Sequence, residues 1–302
     1  MSALWCAALL GACFTTVWGA DVIQPRNAPR ANNTKFASAN LRMDVKVVLV
    51  PVTVTDSLDR PITTLQADRF RVLEDGVVQK IASFSREDGP VSLGFLFDSS
   101  GSMKERIASS VDALREFSLT GIPGDEYFLV QFSDEAHLLT GFTWDPALIQ
   151  QKLGFVQAGG QTALLDAVAL AANQMRLAKN SRRVLLILSD GGDNNSRFSE
   201  SEIRSRVVES DIRIYAIGIM HRNRLLQRLA AETGGSVLIA QSLAELPDIV
   251  QRLSAEIRSQ YVLGYASNSM NDGKFHKVKV ELTSPQRSQL HASWRRGYFS
   301  PE

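Results

Sequence analysis

Two stretches of this chain are apolar at nearly every position, and each runs into an aspartate: residues 91–97 lead to Asp98, and residues 184–188 lead to Ser189-Asp190. A strand with no polar face must be covered on both sides, which is the condition of a parallel sheet wrapped by helices. Residues between and beyond these runs carry apolar side chains at helical spacing: Ile107, Val111, Leu114 and Phe117, then Leu165, Val168, Ala172 and Met175. Residues 127–132, 212–219 and 237–239 read as further strands, with 137–142 as a short partner. Residues 200–210 form a polar helix, 224–233 a helix stopped by Gly234-Gly235, and 243–258 a last one with Leu246, Ile249, Val250, Leu253 and Ile257. This alternation predicts an α/β fold over 91–258, a doubly wound and mostly parallel sheet.

The flanks have a different rhythm. From Met43 the pattern alternates, with Val45, Val47 and Leu49 on one side and Val52 and Val54 in a second phase after Pro51. A turn at 56–61 follows, and Asp75-Gly76 between alternating runs is a hairpin signal, with 77–84 as the returning strand. Beyond Ser259, residues 260–265, 276–282 and 289–294 read as strands, with Asp272-Gly273 as another turn. Segments 41–90 and 259–302 are each too small to bury a good core alone. They are therefore expected to pair, so that the α/β domain is inserted in, or flanked by, one small β-sandwich.

The first twenty residues carry no charge and are mostly apolar from Leu4 to Phe14, which reads as an export leader, followed by a polar linker at 21–40. Two processing routes fit: cleavage after small residues near Gly19, or lipidation at Cys13, since Leu10-Gly11-Ala12-Cys13 resembles a lipobox. The positively charged start of a leader is missing, and a buried N-terminal helix is the alternative. An exported protein would be periplasmic, secreted or anchored to the envelope. Both cysteines, Cys6 and Cys13, lie in this segment, which excludes an internal disulfide, a thiolate metal site and a cysteine nucleophile from the rest of the chain. A net charge of +1 gives no general attraction to nucleic acid.

In an open parallel sheet, functional groups gather at the carboxyl ends of strands. Asp98, Ser100 and Ser102 follow the first apolar strand, Asp190 ends the second, and Thr162 sits in a glycine-rich loop at the start of a helix. All five offer hard oxygen donors, which suit Mg2+ or Mn2+. Helix capping accounts for any one of them alone. Five at the right strand and loop ends point instead to a metal.

The order Asp-x-Ser-x-Ser, loop Thr, strand-end Asp resembles the metal-ion-dependent adhesion site of the von Willebrand factor A (vWA) and integrin I-domain family. It matches at Asp98, Ser100, Ser102, Thr162 and Asp190, within a likeness spanning about 91–258. The resemblance implies direct ligation by Ser100 and Ser102, and ligation by Thr162 either directly or through water. It implies that Asp98 and Asp190 hold coordinated waters and orient the hydroxyls. The ion then keeps an open position for an Asp or Glu carboxylate of a protein partner. The flanks at 72–81, 260–265 and 296–299 resemble those of exported bacterial proteins called VWFA-related acidobacterial domain proteins.

Asp193 and Asn194 fit either outer hydrogen bonds to the site or turn chemistry, and Asp166 fits stabilisation by a helix dipole. Asp56, Asp59 and Asp75 read as turn residues, with a weak Ca2+ site as the alternative. His137, His221, His276 and His291 lack metal-ligand spacing and read as surface or packing residues; Arg182-Arg183 and Arg295-Arg296 read as solvated faces. No nucleophile elbow or phosphate-binding lysine loop is present. The expected function is therefore metal-dependent protein binding in adhesion, scaffolding or complex assembly, and not catalysis. The alternatives are a metal-dependent hydrolase and a structural spacer with an unoccupied site.

Overall fold

A computed structural model of the chain describes residues 47–267, 272–283 and 289–300. The expected leader and linker, and both cysteines, lie outside the described residues. Strand β1 (Val47–Asp56) buries Val48, Val50, Val52 and Val54 and exposes Val47 and Leu49. Its inward face keeps one phase from end to end, so the expected change of phase at Pro51 does not occur. Proline has no N–H for a ladder, and Pro51 lies where β1 has a strand on one side only. Its partner there is Val262, and pairing on the other side begins at Val52.

Strands β2 (Phe70–Glu74) and β3 (Val77–Gln79) form the hairpin, with Asp75 at φ 48° and Gly76 at φ 86° supplying its left-handed turn. The returning strand then divides. β3 stays beside β2, whereas β4 (Ile81–Glu87) crosses to the other sheet. Alternation alone does not reveal such a corner.

The α/β unit runs β5 (Val91–Asp98), α1 (Ile107–Leu119), β6 (Glu126–Phe132), β7 (Ala136–Thr143), α2 (Pro146–Leu153), α3 (Leu164–Met175), β8 (Arg182–Ser189), α4 (Glu200–Glu209), β9 (Ile212–Ile219), α5 (Arg224–Thr233), β10 (Val237–Ala240) and α6 (Leu246–Arg258). Its sheet has the order β10-β9-β8-β5-β6-β7, parallel except for β7 at one edge. Helices α1, α2 and α6 pack on one face and α3, α4 and α5 on the other, so β5 and β9 are buried throughout and β8 everywhere but at Arg183. Helix α2 was not anticipated, although Asp145-Pro146 is a capping signal. The Asp145 carboxylate accepts the Ala147 N–H at 2.9 Å, and proline needs no partner in a first turn.

The chain returns to β structure in β11 (Gln260–Ala266), β12 (Phe275–Leu282), β13 (Leu290–Trp294) and β14 (Gly297–Phe299). One sheet has the order β13-β1-β11-β4 and the other β14-β12-β2-β3, so each mixes strands from both ends of the chain. Their facing sides share a core that includes Val50, Val52, Val72, Tyr261, Leu263 and Tyr265, which makes a β-sandwich. The Trp294 indole N–H is satisfied by the Val278 carbonyl at 2.9 Å.

The α/β unit meets the sandwich at the amino-terminal end of its sheet. The Asp125 carboxylate accepts the Val91 N–H with one oxygen and the Arg258 guanidinium with the other, 2.8 Å each. Arg182 donates to the Gly89 and Ile257 carbonyls. It is thus buried and structural, contrary to the solvated face expected from the sequence. Gly234 ends α5 in the left-handed conformation, and a Cβ there would lie 2.4 Å from the Arg295 nitrogen; only glycine admits the β13–β14 corner this close. Among the described residues no helix is long and apolar enough to cross a membrane.

Candidate metal centre

Chain order reverses direction across the sheet at β5: β6 lies on one side and β8 on the other. A crevice therefore opens between the carboxyl ends of β5 and β8. Asp98 is the last residue of β5 and Asp190 follows the last residue of β8. Both are buried. Asp98 Oδ1 accepts the Ser100 N–H at 2.9 Å, and Oδ2 accepts the Ser189 hydroxyl at 2.5 Å. The Ser100 and Ser102 hydroxyls lie 3.1 Å apart, and Ser102 donates to Asp190 Oδ1 at 2.8 Å. These four residues are thus linked by hydrogen bonds, from Asp98 through the Ser100 N–H and on through the two serine hydroxyls to Asp190.

Thr162 is buried in the adjoining loop, and its hydroxyl makes no hydrogen bond to the other four. The loop is nevertheless fixed against the cluster. Gly101 donates to the Gly160 carbonyl at 2.9 Å, and Gly159 donates to the Ser99 carbonyl at 2.8 Å. Gly160 sits at φ +79°, and a Cβ on it would meet the Asp134 carboxylate at 2.4 Å. That carboxylate accepts the Gln161 N–H at 2.8 Å. Asn194, one of the two residues left open between outer contacts and turn chemistry, accepts the Thr162 N–H at 2.8 Å. Its companion Asp193 accepts from Leu165 at 3.1 Å. Asp166 does more than face a helix dipole: it holds the β8–α4 loop through the Arg197 N–H (2.9 Å), the Phe198 N–H (3.2 Å) and the Arg197 guanidinium (3.0 Å).

Burial pushes the Asp98 carboxyl above its ordinary value, opposed by its hydrogen bonds and reinforced by the charge of Asp190. Two buried carboxylates with neutral hydroxyls between them, and neither nitrogen nor sulfur in the set, suit a hard divalent cation. The donor set therefore fits the ion that the sequence implies. Sequence reasoning missed Ser189, which orients Asp98, and Arg106, whose guanidinium Nη1 contacts Asp190 Oδ2. The clue to Arg106 is its place one residue before α1, which folds it back over the rim.

A second polar cluster lies in the sandwich. His276, buried on β12, has Asp75 Oδ2 at 2.7 Å from Nδ1 and Asp272 Oδ1 at 3.0 Å from Nε2. Glu74 is buried beside it and accepts from Ser267 (2.6 Å) and Tyr298 (3.1 Å). Ligand-type atoms of Glu74, Asp75 and His276 lie within 4.8 Å of one another. A carboxylate at each ring nitrogen requires both to donate, so the ring is held as imidazolium and its pKa is raised, with Asp75 and Asp272 lowered in return. The raised histidine stabilises the fold fully below its unfolded value of about 6.5 and loses that contribution as pH rises through the folded value. The lowered aspartates lose theirs only as pH falls below about 4. Thermal midpoints measured from pH 5 upward should therefore fall through the His276 titration in the wild type and lack that slope in His276→Gln. Parallel curves would reject the pairing.

The sequence profile of the von Willebrand factor type A domain matches residues 93–192. Compared with curated proteins, the sequence finds no match. Among solved structures, a von Willebrand factor type A protein from Catenulispora acidiphila is similar with a TM-score of 0.53 at 13% identity, covering 85% of this chain and 74% of that one. Proximal thread matrix protein 1 from the mussel byssus, in a structure with a zinc-occupied MIDAS motif, is similar with a TM-score of 0.52 at 20% identity. That alignment covers 61% of this chain and 49% of the mussel protein. At these identities the likeness is one of fold.

Proposed function

We propose that this chain, whose residues 93–192 match the von Willebrand factor type A domain, is a metal-dependent protein-binding module of the bacterial cell envelope, acting in adhesion, scaffolding or assembly. The observation that carries this reading is the linked cluster of Asp98, Ser100, Ser102 and Asp190 at the carboxyl ends of β5 and β8, with the Thr162 loop fixed beside it. Ser100, Ser102 and Thr162 would hold Mg2+ or Mn2+, and Asp98 and Asp190 would orient them. When bound, the ion would supply positive charge that hydroxyl ligands leave largely in place, and an Asp or Glu carboxylate of a partner protein would be drawn to it.

Chemistry on a substrate is the poorer reading. The hydroxyls of Ser100 and Ser102 are engaged with each other and with Asp190, and neither is hydrogen-bonded to a histidine that could serve as base. The uncharged leader at 1–20 supports export, and Cys13 is the candidate for a lipid anchor.

The test is capture of partner proteins from envelope extract by wild-type protein, with Mg2+ and with chelator, alongside Asp98→Ala. Binding that needs the metal, is lost in the variant and is released by a free acidic peptide is the expected result. Capture indifferent to chelator would remove the reading, and metal-dependent turnover of phosphoesters would replace it with a hydrolase.

A further inference from the structure

We infer that Arg106 is the built-in counter-ion of this centre, a tethered cation that a divalent ion must displace and that therefore sets how weakly the site takes up metal. The inference rests on the metal-binding reading above and deepens it. Asp190's side chain is 1% exposed and both its oxygens are engaged, Oδ1 by the Ser102 hydroxyl and Oδ2 by the Arg106 guanidinium. Arg106 Nη1 also lies 3.4 Å from the Ser102 carbonyl. Asp98, by contrast, is met only by uncharged donors, the Ser100 N–H and the Ser189 hydroxyl. Among the described residues, Arg106 is thus the one cation in contact with either buried carboxylate.

Its backbone leaves little freedom to withdraw. Arg106 donates its N–H to the Met103 carbonyl at 2.8 Å and accepts from Ser110 at 3.0 Å, and Met103 itself is fully buried. The side chain is 23% exposed, so it has water to swing into. A guanidinium cannot shed its charge near neutral pH. Any divalent ion that reaches Ser100 and Ser102 must therefore break the Arg106–Asp190 pair or sit within a few ångströms of a like charge. Either course weakens binding. Without metal, the same pair spares the protein an unpaired buried carboxylate.

Calorimetric titration of the full chain with Mn2+ alone tests this. Arg106→Met, which keeps the packing of the stem but not the charge, should bind Mn2+ about tenfold or more tightly than wild type, and Arg106→Lys should stay near wild type. A second measurement needs no neutral variant. In nitrogen-15 spectra of the wild type, the Arg106 Nη–H signals, identified by their loss in Arg106→Lys, should exchange faster with water at saturating diamagnetic Mg2+ than in the metal-free protein, and unchanged exchange would overturn the inference. Wild type and Arg106→Met binding equally, or the variant binding more weakly, would overturn the inference while leaving the metal centre intact. Absence of binding in every protein would overturn the metal centre itself and the inference with it.

Discussion

Asp98→Ala should lower the affinity for Mg2+ and Mn2+ by about 100-fold or more, close to abolition. Asp98 closes the floor of the centre: one oxygen fixes the backbone of Ser100 and the other fixes Ser189 at the end of the neighbouring strand. Alanine frees both donors and removes one of the two buried negative charges that a cation would neutralise. Saturation with metal at a hundredfold excess over its dissociation constant stabilises a protein by about 2.7 kcal/mol. The wild-type thermal midpoint should therefore rise with Mg2+ and that of Asp98→Ala should not. The variant itself should remain folded, because an acid whose burial already disfavours its charge is being removed, at the cost of two donors losing their acceptor, roughly 1–3 kcal/mol each. A metal-induced rise that survives in Asp98→Ala but disappears in His276→Gln would place the ion at the sandwich cluster instead.

Phe95→Ala should cost about 3–5 kcal/mol of folding stability. Phe95 is fully buried in the middle of β5, with ring centroids 5.9 Å from Phe117 on α1 and 6.0 Å from Tyr127 on β6. The hole cannot collapse, because β5 is bonded to β6 on one side and β8 on the other along its whole length. A domain of ordinary stability has only about 5–15 kcal/mol to lose. Urea unfolding of the full chain reads the effect directly, and a loss below about 1 kcal/mol would mean that this part of the core is loosely packed.

What could be read from the sequence depended on whether a residue's role was local. Runs without polar residues, such as Leu93–Phe97 in β5, declare a strand covered on both faces before any neighbour is known. Helix α5 and its Gly234 stop were legible for the same reason, since periodicity and a terminator lie within one segment. Features created by a distant partner were not. Pro51 looked like a break in phase because the sequence does not say that β13 pairs only from Val52. Lys80 gave no sign that the strand would change sheets there. Arg182 looked solvated because its acceptors, Gly89 and Ile257, belong to remote segments. At the centre, oxygen-bearing residues at strand ends stood out by type and position. Ser189 and Arg106 did not, since one orients a side chain 91 positions away and the other neutralises one 84 positions away.

Glu87 at the end of β4 and Gln260 at the start of β11 are cross-strand neighbours. In topological terms, residues 88–259 are the loop of a β-hairpin, and the loop is a whole folded domain. A floppy connection of that length would charge the hairpin a large closure entropy on every folding event. Here the domain brings its own ends together, so β4 and β11 can register as soon as it has folded. The reverse also holds: melting the domain turns a short connection back into a long slack one and loosens the sandwich with it. Unfolding of the domain is accordingly expected to take the sandwich with it.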